Sequence, residues 1–150
     1  MKRIILTAAI LLSICLHASA QEGLFVEGLF EGEIVPRTEM KQTFIRGESL
    51  KPYKLDTFKS ISFTADVQTY HKVETLVLQD AEASMDKSTD FVGGHLTYAV
   101  LSLPRSNSGR NRYLCFRARE DQGKWLITVI YLRGQAAIDD LNRMFNKREK

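Results

Sequence analysis

The sequence has few residues of the kinds that form disulfides, metal sites and thiol nucleophiles. It contains two cysteines and three histidines among 150 residues, and beyond residue 20 only Cys115, His71 and His95 remain. A single cysteine cannot form an internal disulfide, so the stability of the fold must come from its core. The sequence also contains no P-loop, dinucleotide-binding fingerprint, serine elbow, zinc-protease motif or calcium loop. We therefore expect no cofactor, and the enzyme classes that these motifs mark are disfavoured.

The sequence also contains no apolar run long enough to span a bilayer, because a spanning helix needs about 20 apolar residues. The most apolar stretch lies at residues 4–16, where it follows two basic residues and precedes small residues at 18–20. This order is typical of a signal peptide cleaved after Ala20. We expect residues 1–20 to be a signal peptide and residues 21–150 to be a single periplasmic or secreted domain that does not span the membrane.

The alternative to this cleavage is a lipoprotein signal that ends at Cys15. In such a signal the cysteine follows a small residue, whereas Ile14 is bulky and β-branched. Cleavage before Cys15 would also leave an apolar segment near the lower length limit of signal peptides. The sequence therefore favours cleavage after Ala20.

The sequence has little net charge of either sign. Its formal charge is +3, and removal of Lys2 and Arg3 with the signal peptide lowers this by two, to +1. A nearly neutral chain offers no overall electrostatic attraction to nucleic acid or to an anionic membrane. We expect no nucleic-acid partner, also because an exported protein seldom meets nucleic acid.

The C-terminal third is rich in β-branched and aromatic residues. Three runs of such residues lie at positions 95–103, 112–120 and 124–134 and are separated by turn-forming segments. They predict a meander of three antiparallel strands. In residues 135–150 the apolar side chains recur on one helical face, which predicts a closing helix packed on the sheet.

Earlier segments predict two more strands and a long helix. Residues 40–46 and 60–65 alternate as strands do, whereas apolar residues recur at helical spacing from Val67 to Lys87. A weaker helical spacing lies in residues 22–35. The sum predicts an α+β domain with a mainly antiparallel sheet of about five strands and two or three helices on one face. The other face of the sheet would then be a candidate contact surface.

A basic segment at residues 104–119 has the sequence "PRSNSGRNRYLCFRAR". It holds no acidic residue and five arginines, namely Arg105, Arg110, Arg112, Arg117 and Arg119. Guanidinium groups bind phosphate, sulfate and carboxylate groups through paired hydrogen bonds. These five residues are the candidate binding site for an anionic ligand or an acidic partner surface. The alternative is a hairpin whose charges are solvated and deter aggregation at a strand edge.

An enzymatic function would depend on one thiol or on two histidines. Cys115 shares a predicted strand face with Arg117, and a nearby arginine favours a reactive thiolate. The sequence shows no base for this thiol, and free cysteines mostly pack as small apolar residues. His71 and Glu74 have a spacing that suits two metal ligands on a helix, but no third ligand follows at a recognisable spacing. We therefore expect no metal site, and catalysis by Cys115 or by His71 and His95 is the disfavoured alternative.

A further alternative is a carrier for a small molecule or a glycan. Trp125, Tyr131 and Tyr98 lie in the predicted meander and would serve as platforms if they faced an uncovered side of the sheet. Bulky aromatic residues belong more often to the core than to such a platform.

The ordered segments "GLF", "IRGESLKPYKLDTFKSISF" and "KWLITVIYLRGQAAIDDLNRMF" resemble small exported domain-of-unknown-function proteins of Gram-negative anaerobic bacteria. The likeness covers most of the chain after the signal peptide through its overall pattern. It implies the α+β fold and a location in the cell envelope, and it assigns no activity and no site residue. We accordingly expect a non-enzymatic binding or interaction module whose partner is another envelope protein or an anionic ligand.

Overall fold

The computed structural model describes residues 23–146 of the chain. The predicted signal peptide with Cys15 lies outside this range. The strands are β1 (Lys41–Arg46), β2 (Leu55–Ala65), β3 (Asp86–Val92), β4 (His95–Leu103), β5 (Asn111–Asp121) and β6 (Lys124–Gly134). The α-helices are α1 (Glu27–Phe30), α2 (Val67–Ala83) and α3 (Ile138–Asn146), and short 3-10 helices span Arg37–Glu39 and Glu48–Tyr53.

These strands form one antiparallel sheet in the order β1-β2-β6-β5-β4-β3. The predicted α+β class, the meander of β4, β5 and β6, and the closing helix α3 are confirmed. β6 lies in the middle of the sheet between β2 and β5. Because a central strand has buried side chains on both faces, its sequence is nearly apolar throughout.

The sheet has six strands rather than about five because β3 follows α2. The prediction that the helix continues to Lys87 is wrong: α2 ends at Ala83, where the N–H and the hydroxyl of Ser84 both donate to the carbonyl of Ala81. Met85, which the helical spacing placed on the apolar face, lies after the helix and is 64% exposed. β3 then forms one edge of the sheet.

One face of the sheet, here called the α2 face, carries the larger core. α2 packs on it through Tyr70, Val73 and Val77, which are fully buried against apolar side chains of β2, β4, β5 and β6. The helix begins as predicted, because the carboxylate of Asp66 accepts a hydrogen bond from the N–H of Thr69 at 2.7 Å.

The N-terminal segment is held on α2 by Asp80. This carboxylate is 2% exposed and accepts hydrogen bonds from the N–H groups of Phe25 at 2.9 Å and Val26 at 3.1 Å. Burial raises the pKa of Asp80 above its ordinary value. The carboxylate therefore anchors the first described residues, and Val26 and Leu29 enter the same core.

The opposite face, here called the α3 face, is covered at one end only. α3 and the 3-10 helix Glu48–Tyr53 pack on a smaller cluster that includes Cys115, Leu132 and Leu141. The prediction that the helices lie on one face of the sheet is therefore wrong: they lie on both faces. The reason is that the strands carry apolar side chains on both sides at this end. Within residues 23–146, no helix has both the length and the apolar character needed to cross a membrane.

Candidate functional site

The structure brings together His71, Glu74 and His95, which lie on two different elements. His71 and Glu74 occupy successive turns of α2, and His95 is the first residue of β4. Each of these residues offers one ligand atom, and the three atoms lie within 4.8 Å of one another. Nδ1 of His71 lies 3.5 Å from Oε1 of Glu74. The cluster therefore contains the third ligand that the sequence spacing did not reveal.

Hydrogen bonds fix the orientation of the Glu74 carboxylate. Its Oε2 accepts hydrogen bonds from the hydroxyl of Tyr70 at 2.7 Å and from the N–H of Leu96 at 2.8 Å. The other oxygen, Oε1, is the one that approaches His71. Burial alone would raise the pKa of Glu74, but hydrogen bonds from Tyr70, Leu96 and His71 together hold it below its ordinary value. The group is thus a carboxylate at neutral pH.

A β-bulge in β4 creates the two backbone partners of this carboxylate network. The pairing of β3 with β4 shifts register at this point, which leaves Thr97 as an extra residue between Leu96 and Tyr98. The ladder between β4 and β5 ends at the pair Tyr98–Arg117. Beyond that pair, α2 supplies the partners: the N–H of Leu96 donates to Glu74, and its carbonyl oxygen lies 2.8 Å from the Tyr70 hydroxyl, whose single hydrogen it shares with Glu74.

Aromatic rings support the two histidines. The ring of Tyr70 stacks on Trp125 with centroids 3.8 Å apart, and both rings are buried. His95 packs edge-on against Trp125 at 5.6 Å, and its ring centroid lies 5.6 Å from that of His71. The two imidazole rings therefore pack against the stacked rings of Tyr70 and Trp125. The side chain of His71 is nevertheless 49% exposed to solvent.

The turn before β4 determines where His95 lies. Gly93 and Gly94 both have positive φ values, +59° and +82°, which residues with a side chain rarely adopt. Their tight turn joins β3 to β4 and places His95 over the second turn of α2.

The arginines of the basic segment do not form one cluster. Arg112 lies on the α2 face, where its Nε donates to the hydroxyl of Tyr131 at 3.1 Å. Nε of Arg110 lies 3.6 Å from Oδ2 of Asp56, and Arg105 is exposed in the connection between β4 and β5. These three predicted binding residues therefore differ in their surroundings.

The other two arginines share a surface. Arg117 and Arg119 are exposed on the α3 face, at the end of β5 that α3 does not cover. In the neighbouring strands Tyr98 and Thr128 lie opposite Arg117, and Leu126 lies opposite Arg119. We call this group of five residues the basic patch.

The remaining candidates of the sequence analysis are buried. Cys115 is 7% exposed beneath α3, and burial raises its pKa to about 12. It is thus a neutral thiol that packs as an apolar side chain at neutral pH. Trp125 and Tyr131 are 5% and 0% exposed in the core of the α2 face, so neither is an open platform. Tyr98 alone of the three aromatic candidates is half-buried on the α3 face.

Comparisons with known proteins give a family and no activity. The model of a family of unknown function, DUF6108, matches residues 13–145. No curated protein and no solved structure matches the chain. The match spans all six strands and α2. It confirms the expectation of a family of unknown function. Export and the source organism remain predictions. The chain therefore belongs to the DUF6108 family.

Proposed function

We propose that this protein is an exported, non-enzymatic binding module of the cell envelope, and that its basic patch contacts an acidic surface of another envelope protein. The observation that carries this proposal is the position of Arg117 and Arg119. Both guanidinium groups are exposed on the half of the α3 face that no described helix covers. Guanidinium groups pair with carboxylates in a bidentate way, so two of them on one strand suit an acidic partner.

The basic patch offers a contact surface, and its member Tyr98 also lines a cavity between β4 and Ile138 of α3. The pairing register places Tyr98, Arg117 and Thr128 side by side across three strands, with Arg119 beside Leu126 in a parallel row. Tyr98 and Leu126 add apolar area, and Leu126 is 37% exposed. Tyrosine and arginine are enriched at protein interfaces, where the ring and the guanidinium contribute contact area and directed hydrogen bonds.

Two acidic residues lie near the basic patch on the α3 face: Asp121 lies two residues beyond Arg119 on β5, and Asp90 of β3 is the register partner of Tyr98. Strand alternation directs Glu120 to the α2 face, away from Arg119. Asp121 lies opposite Lys124 at the end of the hairpin. The basic patch therefore presents two exposed arginines on a surface that also carries Asp90 and Asp121.

The experiment compares the retention of two purified variants on envelope fractions. The full chain is expressed, and the product is incubated with washed native envelope at low salt. We expect wild-type protein to be retained and the double variant Arg117→Ser/Arg119→Ser to lose most of its retention. Retention should also fall as salt is raised, because salt weakens the attraction between exposed opposite charges.

Arg105→Ser is the matched control, because it removes an exposed arginine from the adjacent connection without touching the basic patch. This variant should bind as wild type does. Equal retention of the double variant and wild type would refute the proposal. Retention that survives protease treatment of the envelope would instead assign the contact to a glycan or a lipid headgroup and would equally refute a protein partner.

A further inference from the structure

We propose that His71, Glu74 and His95 form a binding site for a divalent first-row transition metal, with Zn²⁺ as the best-matched ion. This inference concerns the α2 face and does not depend on the basic patch of the α3 face. It revises the expectation, drawn from spacing alone, that the chain has no metal site.

The distances fit zinc coordination. Zn–N bonds are about 2.0–2.1 Å and Zn–O bonds about 2.0–2.2 Å, so two ligand atoms of a tetrahedral site lie about 3.4 Å apart. The separation of His71 Nδ1 and Glu74 Oε1 is 3.5 Å, which matches this value. All three ligand atoms lie within 4.8 Å of one another, so a small rotation of the imidazole rings closes the remaining gap.

The donor set selects the class of metal. Two imidazole nitrogens and one carboxylate oxygen suit zinc and its first-row neighbours, whereas Mg²⁺ prefers six oxygen ligands in octahedral geometry. Three protein ligands leave one coordination position for water or another exogenous ligand. The cluster is accessible from solvent, because the side chain of His71 is 49% exposed.

The residues around the cluster hold the ligands in place before a metal arrives. Tyr70 and the N–H of Leu96 both donate to Oε2 of Glu74, which leaves Oε1 directed toward His71. The stacked pair Tyr70–Trp125 supports the ring of His95 from below. Outer partners of this kind orient metal ligands and typically change metal affinity by about 10- to 100-fold. An ion bound here would also join α2 to the start of β4.

The experiment is a metal titration of protein purified after expression of the full chain. The protein is stripped with a chelator, exchanged into chelator-free buffer and titrated calorimetrically with ZnSO₄. We expect one equivalent of Zn²⁺ to bind per chain and to raise the midpoint temperature of unfolding. MgCl₂ should produce neither binding heat nor a shift of that temperature.

Variants locate the site. His71→Ala and His95→Ala should each weaken Zn²⁺ binding by about tenfold or more, and both should abolish the rise in unfolding temperature. His71 is half exposed, so its truncation leaves the core intact. Glu82→Gln is the matched control, since it neutralises an exposed acid on the same helix outside the cluster and should bind Zn²⁺ as wild type does.

Absence of a one-equivalent Zn²⁺ site in the wild-type protein would overturn the proposal. Wild-type affinity in both histidine variants, with native circular dichroism spectra, would overturn it as well. Neither result bears on the basic patch, because retention on envelope depends on Arg117 and Arg119, which lie on the other face of the sheet.

Discussion

Cys115 lies on β5 beneath α3, and its surroundings determine its reactivity. Burial raises the pKa of the thiol to about 12, so the thiolate that reacts with electrophiles is scarce at pH 8. We expect a chromogenic disulfide reagent to modify the native protein at least tenfold more slowly than protein unfolded in urea.

A matched variant separates burial from the effect of the neighbouring charge. Arg117→Ser removes the guanidinium that the sequence placed on the same strand face, and it should leave the slow native rate unchanged. Rapid stoichiometric labelling of the folded protein would contradict this prediction. A marked slowing in Arg117→Ser would show that the arginine activates the thiol.

At the residue scale, the sequence predicted the alternation of β5 and the pairing of His71 with Glu74, but not the approach of His95 to that pair. The spacing of His71 and Glu74 suits two metal ligands, and this pair does form on α2. His95 lies 21 residues after Glu74, beyond a helix end, an edge strand and a tight turn. The approach of His95 to Glu74 depends on where that turn and the bulge at Thr97 place β4. No local pattern in the sequence predicts that these two residues lie close together.

At the element scale, Asp56 links the start of β2 to the end of β6 and to the entry of β5. Its Oδ1 accepts hydrogen bonds from Thr57 at 2.7 Å and from Arg133 Nε at 2.9 Å, and Oδ2 lies 3.6 Å from Arg110. Burial alone would raise the pKa of Asp56, but these hydrogen bonds and the two positive charges together lower it below its ordinary value.

This lowered pKa predicts a stability that depends on pH. Because the folded pKa lies below the unfolded value of about 3.9, the stabilisation is fully present above about pH 4 and is lost as the pH falls through the folded pKa. Asp56→Asn should be less stable than wild type at pH 7, by less than about 1 kcal/mol since the pair is partly exposed. The difference should shrink in acid, as measured by urea unfolding at several pH values.

Glu120→Gln is the control, because this exposed acid lies at the other end of β5 from the Asp56 pairs. Its free energy of unfolding should follow that of wild type at every pH. Parallel curves for wild type and Asp56→Asn would contradict the assigned role of Asp56.

Burial alone does not separate the predicted elements from the missed one, because β1 is exposed at every position and was predicted from its alternation. β6 is central and α2 is anchored by Asp66, so periodicity and capping identified both of them. β3, in which six of seven residues are exposed and burial does not alternate, was not predicted. The helical spacing also happened to continue to Met85, although Ser84 ends the helix.

At the scale of the whole molecule, the prediction concerns processing of the N-terminus. Expression of the full chain in a Gram-negative host should yield a periplasmic or released product that begins at Gln21, as determined by intact mass. A signal peptidase reads small residues before the cleavage point, so Ala18→Arg should accumulate the uncleaved chain. A product that retains residues 1–20, or one acylated at Cys15, would contradict the prediction.

The anchoring of the N-terminal segment by Asp80 has a consequence for the order of folding. The N–H groups of Phe25 and Val26 find their acceptor 55 and 54 residues later in the chain. In a chain that emerges N-terminus first, this apolar segment therefore stays undocked until α2 has formed. Docking of Val26 and Leu29 is then a late event, and until it occurs one side of the helix stays accessible to chaperones and proteases.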